Sequence, residues 1–143
     1  NASSQKQAWE RNGIVWGRPV PGLAATDLRG VLDGIAGRSD SDCCRVTVLT
    51  RGSGDLAIAA LFAMILDPRV AAADLDFAAA CFGNRNLALV PRVLWYGDVP
   101  QWAALVADRR LRLRNVPPAA GDVAWLEQAF AAAGNSAGLE RTP

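Results

Sequence analysis

A short turn rich in small residues carries the side chain with the clearest chemical potential. Residues 50–54 (Thr-Arg-Gly-Ser-Gly) join an apolar, β-branched run at 45–49 to a wholly apolar stretch at 56–66. A strand, a sharp turn and a buried helix in this order often form the active region of α/β proteins. Ser53 is the hydroxyl inside the turn, so it is the candidate nucleophile for acyl transfer. The alternative is a turn hydroxyl that caps the following helix.

The same turn could also bind an anion. Backbone amides at a helix N-terminus favour negative charge, and here Gly52 and Gly54 would present such amides beside the guanidinium of Arg51. Asp55 opposes a phosphate or carboxylate at this position. The spacing matches neither a Walker A loop nor a Gly-x-Gly-x-x-Gly dinucleotide fingerprint.

The partners that a serine nucleophile needs are scarce. The chain contains no histidine, the usual general base, and Lys6 is its only lysine. Asp122 is the candidate acid, or it caps the last helix. Asp74 and Asp76 alternate along one predicted strand without a third ligand, and a position near the carboxyl edge of the sheet explains them. We expect no metal site and no cofactor.

The composition excludes two classes of partner. The 143 residues carry a net charge of +1 with scattered arginines, unlike a nucleic-acid-binding surface. The longest apolar stretch is too short to cross a bilayer. The three cysteines (Cys43, Cys44 and Cys81) form neither metal-binding spacing nor a disulfide framework. We expect one domain at 13–134, between a polar lead-in at 1–12 and a polar tail at 135–143.

Apolar periodicity predicts helices that alternate with strands. We expect strands at 45–49, 70–77 and 110–114, a short strand remnant at 13–16, and helices at 26–37, 56–66, 99–107 and 122–133. The last helix should bury Trp125, Leu126 and Phe130, and no strand is expected after it. Alternation of this kind predicts an α/β three-layer sandwich with a mostly parallel sheet.

Several segments occur in a recognisable order. They are Gly17-Arg18-Pro19 before Asp27, Asp42 before the strand at 45–49, Leu66-Asp67-Pro68-Arg69-Val70, and Ala107-Asp108-Arg109-Arg110-Leu111. This order resembles the C-terminal half of an α/β-hydrolase of the acetyl xylan esterase and dienelactone hydrolase type, over about 13–134. The resemblance implies a truncated α/β-hydrolase-like fold. The family activity that it implies is hydrolysis of carboxylic esters, such as acetylated sugars.

The turn departs from the pattern of that family. A nucleophile elbow needs small residues two before and two after the nucleophile. Thr50 and Gly54 meet this need, which puts Gly52 in the nucleophile position. In the register of Ser53 the flanking residues are the charged Arg51 and Asp55. In the family, the histidine follows one further strand. This chain contains no histidine.

The sequence therefore predicts a catalytically silent or degenerate hydrolase-like domain with a structural or interaction role. Two alternatives stay open: an ester hydrolase that uses Ser53, and an anion-binding turn at 51–54. Half of a parallel sheet leaves an apolar edge exposed. We therefore expect the edge nearest residues 45–49 to pair with a second copy of the chain or with a missing partner segment.

Overall fold

The chain forms an α/β structure with one all-parallel sheet, seen in a computed structural model that describes residues 2–40, 45–78, 90–116 and 123–142. The helices in these ranges are α1 (Ala2–Val15), α2 (Val20–Ala36), α3 (Gly54–Leu66), α4 (Val99–Ala104) and α5 (Val123–Ala132). The strands are β1 (Val46–Leu49), β2 (Val70–Asp76), β3 (Arg110–Arg114) and β4 (Leu139–Thr142). Two single 3-10 turns, Val93–Trp95 and Ser136–Gly138, precede α4 and β4.

The strands lie in the sheet in chain order, β1-β2-β3-β4, and every neighbouring pair is parallel. Right-handed crossovers between successive neighbours put the connecting helices α3, α4 and α5 on the same face. This face contains the core. The prediction of an α/β fold with a parallel sheet is confirmed, including the strands at 45–49, 70–77 and 110–114 to within one residue.

The two faces of the sheet differ in chemistry. Alternate residues of β2 and β3 point into the core and are buried: Ala73, Leu75, Leu111 and Leu113. The residues between them point the other way, and in the described part of the chain this second face is largely open to solvent. On it Arg114 donates from Nε to Asp74 Oδ1 at 2.6 Å, and Arg112 pairs with Glu140.

Helix α3 is the centre of the core. Residues on all its sides, among them Ala57, Ile58, Leu61 and Met64, are buried between β2 on one side and α2 on the other. Its many alanines let both neighbours approach closely. The buried helix predicted at 56–66 is confirmed.

An ionic cluster holds the C-terminal end of α3. Arg69 donates from Nη2 to Asp67 at 2.6 Å and to Asp33 of α2 at 2.7 Å. The Asp67 carboxylate is almost fully covered, and the hydrogen bonds from Arg69 lower the pKa of this carboxyl to about 2. The cluster therefore stays ionised at neutral pH and fixes α2 against the end of α3.

Arg109 makes a second connection to the same end of α3. Its Nη1 donates to the carbonyl oxygens of Met64, Asp67 and Val70, which include an orphan carbonyl of the last helical turn. The side chain is only 16% exposed. Arg109 thus joins the start of β3 to the connection between α3 and β2.

The N-terminal prediction is wrong at 13–16. These residues do not form a strand remnant, because α1 continues to Val15 and also contains most of the polar lead-in at 1–12. Gly17 adopts a φ of +67° just after the helix, a left-handed conformation that glycine reaches without strain. The Arg18 amide then donates to the Gly13 carbonyl at 2.7 Å, which turns the chain back toward α2.

The prediction that no strand follows the last helix is also wrong, because β4 lies in the predicted polar tail at 135–143. Its backbone pairs with β3, and Leu139 packs against the core. Asn135 positions the entry by donating from Nδ2 to the carbonyls of Ala107 and Arg109, each at 3.0 Å. Only one of the four strand residues is apolar, so hydrophobic patterning could not indicate the strand.

Helix α5 packs partly as expected. Leu126 and Phe130 are buried, as predicted. The prediction that Trp125 is buried is wrong, since this residue is 41% exposed. Leu126 and Phe130, four residues apart, define the buried face of α5, and Trp125 lies about 100° around the helix from Leu126.

We expect Arg109→Met to lower the free energy of unfolding by about 2 kcal/mol, because buried carbonyls lose a charged donor. Urea unfolding followed by circular dichroism measures the change. Arg110→Met is the matched control, since the adjacent Arg110 is exposed and its loss should change stability by less than about 0.5 kcal/mol. Equal stability of the Arg109 variant and wild type would contradict the connection.

Candidate functional site

The candidate site lies at the carboxyl edge of the sheet, where α/β proteins place their ligand sites. The turn at 50–54 follows β1, Asp76 ends β2, and Asn115 follows β3. Parallel pairing brings these three strand ends side by side.

Asp76 connects all three strand ends. Its Oδ2 accepts the Gly52 amide at 2.9 Å, and its Oδ1 accepts the Ala78 amide at 3.0 Å and Asn115 Nδ2 at 2.8 Å. Its own amide donates to the hydroxyl of Thr50 at 2.9 Å. We call these five residues the Asp76 cluster. Thr50 and Asp76 are both buried, so the cluster is a polar centre that is largely withdrawn from water.

The three donors to the carboxylate share an unusual backbone. Gly52, Ala78 and Asn115 have φ values of +64°, +47° and +53°. Left-handed conformations are unstrained for glycine, tolerated by asparagine and unfavourable for alanine. A non-glycine residue keeps such a conformation only where its surroundings impose it. Each of the three donates a hydrogen bond to the Asp76 carboxylate, Gly52 and Ala78 through the backbone amide and Asn115 through its side chain.

The surroundings of Asp76 stabilise its ionised form. The hydrogen bond from the Asn115 side chain and those from the Gly52 and Ala78 amides lower the pKa of Asp76, and the charge of Arg51 adds to the effect. A carboxylate with a lowered pKa is a weak base at neutral pH. Asp76 is therefore suited to holding the turn and unsuited to removing a proton from a hydroxyl.

Arg114 provides a second connection across the edge. Its Nη2 donates to the Thr50 carbonyl at 3.0 Å while its Nε bonds Asp74 at 2.6 Å. Arg114 belongs to β3, so the start of the turn is attached to a strand two positions away in the sheet.

The structure places the predicted turn residues as follows. Gly54 is the first residue of α3 and is buried, while Arg51 is exposed. Ser53 occupies the N-cap position with an extended backbone, but its side chain makes no capping hydrogen bond. The interpretation of Ser53 as a helix cap is therefore wrong.

The anion-binding arrangement lacks its central donor in this conformation. The Gly52 amide is already bonded to an internal carboxylate, Asp76. Asp55 accepts a hydrogen bond from Lys6 Nζ at 2.8 Å, which attaches α1 to the first turn of α3. This bond raises the pKa of Lys6, so the amine beside the turn stays protonated and is not a general base.

Some predicted residues lie outside the described ranges, namely Asp122 and the three cysteines Cys43, Cys44 and Cys81. Among the described residues no group of three His, Cys, Asp or Glu side chains could hold a metal ion. No helix in the same ranges is long and apolar enough to cross a bilayer.

Sequence reasoning noted Asp76 but missed its partners Thr50, Ala78 and Asn115. A signal for two of them was available. Thr50 and Asn115 each follow a predicted strand directly, and polar residues at the ends of parallel neighbours meet at one edge. The contribution of Ala78 depends on its backbone conformation and has no sequence signal.

We expect Asp76→Asn to lower the urea midpoint of unfolding at pH 7. Because the folded pKa of Asp76 lies below the ordinary value of 3.8, the ionised carboxylate stabilises the fold above that value. The stabilisation is lost as the pH falls through the folded pKa, so the two midpoints should converge as the pH falls well below 3.8. The exposed Asp108→Asn is the matched control and should follow wild type throughout. A constant gap down to pH 2 would contradict this role.

Comparison with known proteins does not assign the chain to a family. No protein-family model matches it, no curated protein matches it, and no solved structure matches it. The function proposed below therefore depends on the geometry of the carboxyl edge and on the resemblance in the order of the segments.

Proposed function

We propose that this chain is a catalytically silent, α/β-hydrolase-like domain with an interaction role. The observation that carries the proposal is Gly52, which stands where a nucleophile elbow presents its attacking side chain. The implied ancestral activity is hydrolysis of carboxylic esters. The turn keeps the shape of an elbow and lacks the nucleophile.

The conformation of Gly52 supports the elbow interpretation. Its φ of +64° lies in the left-handed region that a sharp strand-to-helix turn requires, and glycine reaches this region without strain. A Cβ built on Gly52 would meet no atom within 4 Å, so a side chain here would project into open space at the carboxyl edge. A nucleophile would fit this position, and the chain has none there.

The surroundings of Ser53 do not favour the alternative of an ester hydrolase. A serine nucleophile needs a base within hydrogen-bond reach. The chain has no histidine, and Lys6 is held protonated by Asp55. One amide of the turn, that of Gly52, is bonded to Asp76 and so is not free to stabilise an oxyanion.

The order of the last strands supports the hydrolase-like assignment. The family pattern calls for a further strand after the helix that follows β3. In this chain β4 fills that place, parallel to β3. A three-layer sandwich would need a further layer on the open face of the sheet, where Leu49 is 58% exposed.

The interaction role depends on the contrast between the two sheet edges. The β4 edge carries Glu140 and Arg141, and charges of this kind discourage strand pairing. The β1 edge consists of Val-Thr-Val-Leu and has no such protection. The amides of Val46 and Thr50 point toward β2, so by alternation those of Thr47 and Leu49 point outward. We propose that a strand of a second copy pairs here.

We expect the purified chain to leave an activated acetate ester at its background rate of hydrolysis and to resist a fluorophosphonate probe. The reason is that the chain contains no histidine and that Asp55 keeps Lys6 protonated. Ser53→Ala is the matched variant and should behave identically in both assays. Labelling or turnover that disappears in Ser53→Ala would overturn the proposal in favour of the esterase.

We expect light scattering after size exclusion to give the mass of a dimer for wild type and of a monomer for Thr47→Pro. Proline removes the outward amide of Thr47 and leaves the bonds to β2 intact. Thr47→Val keeps the amide and should stay dimeric. A monomeric wild type at micromolar concentration, or a dimeric Thr47→Pro, would exclude pairing through β1.

A further inference from the structure

An apolar groove lies between α1 and the start of α2, away from the carboxyl edge. It has a volume of about 430 Å³ and is lined by Trp9, Asn12, Gly13, Trp16, Arg18, Val20 and Leu23. This volume falls within the range of about 300–1,000 Å³ that is usual for small-molecule sites. Nothing in the proposed function uses this groove.

The spacing of the α1 residues forms one wall. Trp9, Asn12 and Gly13 share one face of α1, and Trp16, the residue after the helix, continues this face because its amide donates to the Asn12 carbonyl at 3.0 Å. The Cα atoms of Trp9 and Trp16 are about 10 Å apart along the axis, from seven residues at about 1.5 Å each. Gly13 between them leaves the wall open at its centre.

The groove has a fixed floor. The Arg18 amide donates to the Gly13 carbonyl at 2.7 Å, and a Cβ on Gly13 would lie only 2.6 Å from the Arg18 carbonyl oxygen. Only glycine permits this approach of α1 to the start of α2. The separation of the two backbones at the floor of the groove is therefore set by Gly13.

The two indoles are unusually exposed for their size. Trp9 is 72% and Trp16 is 73% exposed, and both border the same groove. Buried indoles contribute strongly to binding, and exposing them to water costs free energy. A flat ring system that lies against both indoles would remove this exposure.

The positive charge of Arg18 indicates that a ligand of this groove would be an anion. Of the residues that line the groove, Arg18 alone carries a formal charge, and no ion pair or side-chain hydrogen bond joins it to the described residues. A guanidinium can bind a carboxylate, sulfonate or phosphate through two parallel hydrogen bonds. Asn12 adds an amide that can donate or accept.

From these observations we propose that the α1–α2 groove binds a small aromatic anion, with its rings against Trp9 and Trp16 and its acidic group on Arg18.

The test uses two fluorescent probes with the same rings, the anionic 8-anilinonaphthalene-1-sulfonate and the neutral N-phenyl-1-naphthylamine. We expect the sulfonate to bind one per chain, about tenfold more tightly than the neutral probe. Arg18→Gln should weaken the sulfonate about tenfold and leave the neutral probe unchanged, because it removes one charged contact. Arg11→Gln, an exposed arginine of α1 outside the groove lining, is the matched control and should alter neither.

The aromatic wall is tested separately. Trp16→Ala and Trp9→Ala should each weaken both probes, whereas Trp95→Ala, an exposed indole elsewhere, should not. Circular dichroism verifies that each variant is folded, as expected for exposed side chains. Equal affinity of the two probes, insensitivity to Arg18→Gln, or insensitivity to both groove tryptophans would overturn the proposal. So would self-association that Trp16→Ala abolishes, since a second copy would then occupy the groove.

Discussion

The Asp76 carboxylate accepts the hydrogen bonds that hold together the carboxyl edge of the sheet. It accepts the Gly52 amide from the turn after β1, the Ala78 amide that follows β2, and the Asn115 side chain from beyond β3. Each of these donors has a left-handed backbone. One carboxylate therefore joins three connections at this edge of the sheet by hydrogen bonds.

The same hydrogen bonds support the proposal that the turn at 50–54 is not an active site. In a working hydrolase the groups at this edge are left free to meet substrate, developing negative charge and a transferred proton. Here the Gly52 amide and the Asp76 carboxylate are committed to each other, and Lys6 is committed to Asp55. These polar groups bond one another within the fold, as the proposed interaction role would allow.

Strong apolar patterns were readable from the sequence, and backbone-driven features were not. Helix α3 and strands β2 and β3 are rich enough in buried side chains to predict their type and position, and β1 is predictable from its β-branched, apolar run. Strand β4 escaped prediction because pairing with β3 and one leucine suffice to form it. Residues 13–15 are helical because α1 continues almost to the turn at Gly17. Ser53 sits at the expected N-cap, yet its hydroxyl does not cap α3, a matter of side-chain rotation that spacing cannot reveal.

Amide hydrogen exchange at Gly52 tests the central claim most directly, because a bonded amide exchanges slowly and a free one at the rate of an open turn. We expect the Gly52 amide of wild type, followed by nuclear magnetic resonance at neutral pH, to be strongly protected. The same amide in Asp76→Asn should lose most of that protection while the amides of β2 keep theirs. Rapid exchange at Gly52 in wild type would show that the amide is available to a ligand or an oxyanion, and would contradict the account.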